Sequence, residues 1–73
     1  MTLDALPLSQ SAAVATIGGS RAFRLRLMEL GMVPGTVVRK VRVAPLGDPL
    51  ELEVRGGRLS LRRHEAQAIE VVP

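Results

Sequence analysis

The segment 27-LMELGMVPGT-36 decides the fold. It reads as a helix that is stopped, turned and delivered into a strand. Gly31 stands where a helix end calls for positive φ, which glycine takes without a Cβ clash. Met32, just beyond it, is placed to fold back on Leu27 and make the apolar contact that accompanies such a cap. Pro34-Gly35 fits a type II turn, with Pro fixing φ first and Gly taking positive φ second. From Thr36 the chain becomes β-branched, and a strand starts.

Upstream of this segment, Gly18-Gly19 breaks a strand read at 11–17, SAAVATI. Ser20 follows as an N-cap, because its hydroxyl can accept from a free first-turn amide. A helix is therefore expected over about 21–30. At about 100° per residue, Phe23, Leu27 and Leu30 share a core face. Leu25 and Met28 point nearly the opposite way, flanked by Arg21 and Arg24. Residues 2–9 read as a short turn or half-helix whose Leu3, Leu6 and Leu8 cover a core edge.

Downstream, TVVRKVRVA at 36–44 is the second strand. Val37, Val41 and Val43 share one parity with Arg39, while Val38 shares the other with Lys40 and Arg42, so a bulge partway is expected. Ala-Pro-Leu-Gly-Asp-Pro at 44–49 is a rigid loop. Leu50, Leu52 and Val54 then alternate with Glu51, Glu53 and Arg55, and Leu59 and Leu61 with Arg58, Ser60 and Arg62. Gly56-Gly57 between them fits a two-residue type I′ turn. That turn would set Val54 opposite Leu59 and Leu52 opposite Leu61 inside, Glu53 opposite Ser60 and Glu51 opposite Arg62 outside, and Arg55 against Arg58. RRHEA at 62–66 reads as one helical turn and AIEVV at 68–72 as the last strand.

The chain has 73 residues and is read as a single domain, 1–73. A chain this short buries only about 60% of the surface it exposes when unfolded, so its core is thin. There is no Cys, which removes disulfides and thiolate metal sites, and Phe23 is the single aromatic residue. No apolar run approaches the roughly 20 residues that span a bilayer. MTLDALPLSQ carries an acid and no basic n-region, so it is not a signal peptide and a cytoplasmic location is expected. A net charge of +3 fits a solvated basic surface and is compatible with an acidic partner, phosphate or anionic headgroups.

These features predict a mainly β fold, a small SH3-like five-stranded barrel. One α-helix lies between strands one and two, and a short helical turn precedes the last strand. Taken in order, they resemble the FeoA family, small cytosolic accessory proteins of bacterial ferrous-iron uptake. The resemblance is carried by the helix end and turn at 27–36 and by Ala44 to Pro49. It is carried also by Leu59-Ser60-Leu61-Arg62-Arg63-His64-Glu65-Ala66 followed by Ile69. One departure is visible: the family often opens with a Pro-Gly turn, and Pro7-Leu8-Ser9-Gln10 lacks the Gly. The initiating Met and the full set of strands suggest a free-standing protein. The resemblance implies a protein without enzymatic activity or cofactor, peripheral at the inner membrane through its partner. That partner is the membrane ferrous-iron permease with its cytosolic GTPase domain.

Other chemistry finds few parts. Nothing marks Ser9, Ser11, Ser20 or Ser60 as an activated nucleophile, and Glu51 and Glu53 face Arg62 and Ser60 rather than each other across a cleft. Only His64-Glu65 offers imidazole and carboxylate together, and adjacent residues do not normally converge on one ion, so no metal site is assigned. Proline-rich peptides and single-stranded nucleic acid need aromatic platforms that this chain lacks. Arg39, Lys40, Arg42, Arg58, Arg62 and Arg63 could still touch phosphates. That keeps a nucleic-acid-associated barrel as one alternative. A relative of the SH3-like tail domain of iron-dependent repressors is another. The leading candidate is the helix face. Arg21, Arg24, Leu25 and Met28 form an apolar patch with a basic rim, a usual protein-docking surface. The competing expectation is that Leu3, Leu6 and Leu8 fold over it.

Overall fold

The structure, a computed structural model, describes residues 1–73. A 3₁₀ turn, Leu3–Ala5, is followed by β1 (Ser11–Ile17), α1 (Arg21–Glu29) and β2 (Val37–Val43). Then come β3 (Leu50–Val54), β4 (Gly57–Leu61), α2 (Arg63–Ala66) and β5 (Ile69–Val72). The link from α1 to β2 forms as its residues require. Gly31 has φ +83°. Its amide donates to the Met28 carbonyl at 3.0 Å, and the Met32 amide donates to that of Leu27 at 2.9 Å, the bond pair of a Schellman end. The Thr36 amide closes the Pro34-Gly35 turn on the Val33 carbonyl at 3.0 Å. Thr36 Oγ1 donates to the Gly31 carbonyl at 3.1 Å and ties the start of the strand to the end of the helix.

The strands form one antiparallel sheet in the order β4-β3-β2-β1-β5. This is the SH3-like arrangement with α1 between β1 and β2, but the sheet does not close on itself, so β4 and β5 remain edges. The β5 edge is covered by the chain's own start: the Val71 amide donates to the Met1 carbonyl at 2.8 Å, and Thr2 bridges Glu70.

The expected bulge in β2 falls between Lys40, opposite Leu52, and Arg42, opposite Glu51. Ahead of it Val38 points inward, and after it Val43 packs on the core. Inward parity ahead of the bulge also takes Lys40, which corrects its reading as a surface base. Lys40 is buried, and its Nζ donates to the Asp4 carbonyl at 2.8 Å. Burial, with the charge of Arg63 added, holds its amine below the ordinary lysine range.

The hairpin differs from its expected register. Leu50 faces Leu61, Leu52 faces Leu59 and Val54 faces Gly57, so the turn is Arg55-Gly56, with φ +51° and +78°. The slip is two residues, which preserves parity, so the same leucines stay inside. This register gives every β3 residue a partner, sets Arg58 opposite Glu53 instead of Arg55, and leaves Arg58 3.9 Å from Glu51. Gly56→Val should therefore lower stability by more than about 1 kcal/mol, because a β-branched residue resists positive φ. Gly57→Val should be tolerated, since an added Cβ meets nothing nearer than the Val54 carbonyl at 3.6 Å. Urea midpoints of the two variants check this; the opposite ranking would return the turn to residues 56 and 57.

Fourteen buried apolar residues form one core, to which the N-terminal turn gives Leu3 and Leu6, and α1 gives Leu27. Phe23 packs against it partly buried. Leu30, expected on the core face, is 49% exposed. It is the C-cap, with φ −85° and ψ 2°, so the helical rotation no longer applies to it. Met32, turned back by Gly31, takes the buried position instead.

Candidate docking surface on α1

The helix is fixed at both ends. Ser20 Oγ accepts from the Phe23 amide at 3.1 Å, and Arg24 Nη1 reaches back to the Gly19 carbonyl at 2.6 Å. Beyond the Schellman end, Arg26 lies over the Phe23 ring at 5.5 Å and pairs with Glu65 of α2 at 3.0 Å. Anchored this way, α1 presents Leu25 (44% exposed) and Met28 (57% exposed) to solvent. Arg21 and Arg24 stand exposed beside them. The covering by N-terminal leucines does not form: Leu3 and Leu6 are in the core, and Leu8 is exposed. The 3₁₀ turn packs on α2 and β5.

Glu65 has a structural task. Its Oε1 accepts from the Arg62 amide at 2.9 Å at the start of α2, and its Oε2 from Arg26. The Arg62 amide holds the carboxyl below the usual carboxylate range; burial opposes it, and Arg26 adds to the lowering. A carboxyl depressed in the folded state adds stability above its unfolded pKa of about 4.3, and that stability is lost as pH falls through the folded value. Glu65→Gln should thus lower stability at neutral pH and flatten its decline below about pH 4.3. Denaturant midpoints from pH 7 to 3 check this, and an unchanged slope would contradict it.

Two bases expected to be free for phosphate are engaged. Lys40 is buried, and Arg63 holds the 44–49 loop through Nε and Nη2 to the Gly47 carbonyl at 3.1 and 2.9 Å. The Arg63 amide also donates to Asp48 Oδ1 at 2.9 Å. Arg39, Arg42, Arg58 and Arg62 are exposed, as is His64. No group of three or more His, Cys, Asp or Glu is placed to hold a metal ion. Sequence reasoning missed several exposed apolar groups, Val37 and Val72 on the strands and two beside loops. Of the latter, one is Leu30; the other is Leu46, 97% exposed at the tip of the loop that Arg63 braces. Its Pro-Leu-Gly context was the available signal, since a residue at the tip of a tight loop has little to pack against.

Fold and surface together define a small SH3-like β domain, with no helix long and apolar enough to cross a membrane. Its sequence matches the FeoA domain over residues 1–73, and the chain belongs to the FeoA family of ferrous-iron transport. It is 37% identical over 71 residues to an Fe(2+) transport protein A/Fe(2+) transporter FeoB fusion protein of Porphyromonas gingivalis. That match takes in 97% of this chain but only 8% of the relative's length. The solution structure of FeoA from Chlorobium tepidum superposes with a TM-score of 0.95 at 42% identity, over 99% of this chain and 69% of that one. Zinc-complexed FeoA of Stenotrophomonas maltophilia superposes with a TM-score of 0.84 at 41% identity, over 97% and 88%. That protein is described as a prokaryotic SH3 domain and a candidate ferrous-iron-transport activating factor. Likeness to a manganese-dependent transcriptional repressor, at 19% identity and TM-score 0.87 over 99% and 40%, is one of fold alone.

Proposed function

We propose that this chain is a cytosolic accessory protein that docks on a membrane ferrous-iron transporter and modulates it. The contact is the α1 face of Leu25 and Met28 with its Arg21 and Arg24 rim. One observation carries this reading: in the P. gingivalis relative, the homologous domain shares a polypeptide with the transporter FeoB. Tethering holds two modules at millimolar effective concentration. A surface of two apolar side chains and a basic rim then suffices for association in a fused chain, whereas a separate chain draws its affinity from the contact itself. The proposed target is the transporter's cytosolic GTPase domain, and the role is non-enzymatic.

The test is ferrous-iron uptake in cells that lack this chain. The parent protein restores uptake, and Leu25→Asp with Met28→Asp, expressed to the same level, does not. Full restoration by the double variant would move the contact to another face.

A further inference from the structure

The two sheet edges are treated differently. Residues 1 and 2 close the β5 edge, whereas no strand or bridge lies outside β4. Backbone direction on β4 follows from the hairpin register. Val54 and Gly57 flank the two-residue turn, so Gly57, Leu59 and Leu61 point their amides and carbonyls at β3. Arg58, Ser60 and Arg62 point theirs outward. The Arg62 pair is already satisfied: its amide donates to Glu65 and its carbonyl accepts from Ala66 at 3.0 Å. Arg58 and Ser60 are left open, both exposed.

Beside this open edge runs a groove between β4 and the end of α1. Leu30, Pro49 and Leu59 give it an apolar floor, and Arg26, Arg62 and Glu65 stand along it. Arg26 and Glu65 neutralise each other. Arg62, whose side chain has no acidic partner, leaves its border positive, and Arg58, one residue outside the groove, is shared with Glu51 at 3.9 Å. An unpaired strand edge is a template for another chain, and natural sheets normally close or blunt it.

We propose that the β4 edge and this groove bind an extended peptide segment of a partner protein, apolar at alternate positions and acidic between them. Its backbone pairs with Arg58 and Ser60. Its apolar side chains lie over Leu30 and Leu59, and its carboxylates meet Arg58 and Arg62. Main-chain pairing supplies affinity and the groove supplies selectivity, as in other strand additions. This site is separate from Leu25 and Met28, so it stands or falls independently of that face.

The test is selection of displayed random heptapeptides on the immobilised full chain. Enriched sequences should alternate apolar residues with Asp or Glu. Arg58→Glu with Arg62→Glu should switch enrichment to Lys and Arg. Leu30→Asp, at a half-exposed position, should weaken binding of the selected peptides tenfold or more. Hydrogen exchange of the Arg58 and Ser60 amides should slow in the complex, a readout on the parent chain that needs no variant to fold. No enriched family, enrichment indifferent to the charge reversal, or unchanged exchange at both amides would each overturn the proposal. So would peptides whose binding is lost on Leu25→Asp but kept on Leu30→Asp.

Discussion

Leu27→Ala is expected to lower the free energy of unfolding by about 2–5 kcal/mol, the range for truncating a fully buried leucine. Leu27 is the only α1 residue with no exposure at all, and the Schellman bond from Met32 ends on its carbonyl. Removing its side chain withdraws the helix's main apolar anchor and leaves a cavity beside Met32. At about 0.05–0.15 kcal/mol per residue, the whole domain holds only some 4–11 kcal/mol, so this single loss leaves a marginal fold. Leu30→Ala is the internal control. Leu30 is half exposed, and its truncation should cost well under about 1 kcal/mol. Urea denaturation of both variants measures the contrast. Similar losses at the two positions would mean that Leu27 is not the helix's main anchor.

Leu25→Asp with Met28→Asp should leave a folded domain that binds the transporter's cytosolic GTPase domain at least about 100-fold more weakly. A residue at the energetic centre of an interface costs about 2 kcal/mol or more when lost, and about 1.4 kcal/mol is tenfold in affinity. Neither side chain contributes to the core, so the folding cost is limited to helix propensity and to an acid near the helix end. That amounts to roughly 1–2 kcal/mol together. Leu25→Ser with Met28→Ser avoids the added charge and should keep nearly parental stability while still losing binding. Arg21→Gln with Arg24→Gln should act differently, slowing association and reducing its salt dependence more than it lowers affinity at high salt. Arg24 also bonds the Gly19 carbonyl, so its replacement carries a small helix-start cost as well. Parental affinity in both double variants at Leu25 and Met28 would remove α1 from the interface.

Local signals in the chain gave accurate local structure. Gly31 and the Pro34-Gly35 pair specify their own backbone angles, and Ser20 specifies its own cap, so the helix, its end and the following turn were legible residue by residue. The bulge in β2 was legible because Val38 and Val43 cannot face one core without it. Most of what escaped depended on contacts between distant residues. The hairpin turn moved to Arg55-Gly56 because pairing along all of β3, and Arg58 opposite Glu53, favour a register that the glycine pair alone does not encode. Lys40 was misread because a lysine's burial depends on an acceptor elsewhere, here the Asp4 carbonyl. Leu30 was misread because rotation along the helix was carried one residue past its last turn. The exposure of Leu25 and Met28 followed from helix geometry, yet it also required Leu3 and Leu6 to be used in the core. The open β4 edge had no sequence signal, since strand order is a property of the assembled sheet.

Docking on the transporter is tested most directly by titrating the isotope-labelled chain with the purified cytosolic GTPase domain of its own ferrous-iron transporter. Amide shifts are followed in solution. A saturable complex is predicted, with the largest shifts at Leu25, Met28 and their α1 neighbours and none after the double aspartate substitution. Unchanged spectra at saturating GTPase domain, or saturable shifts that leave α1 untouched, would contradict it.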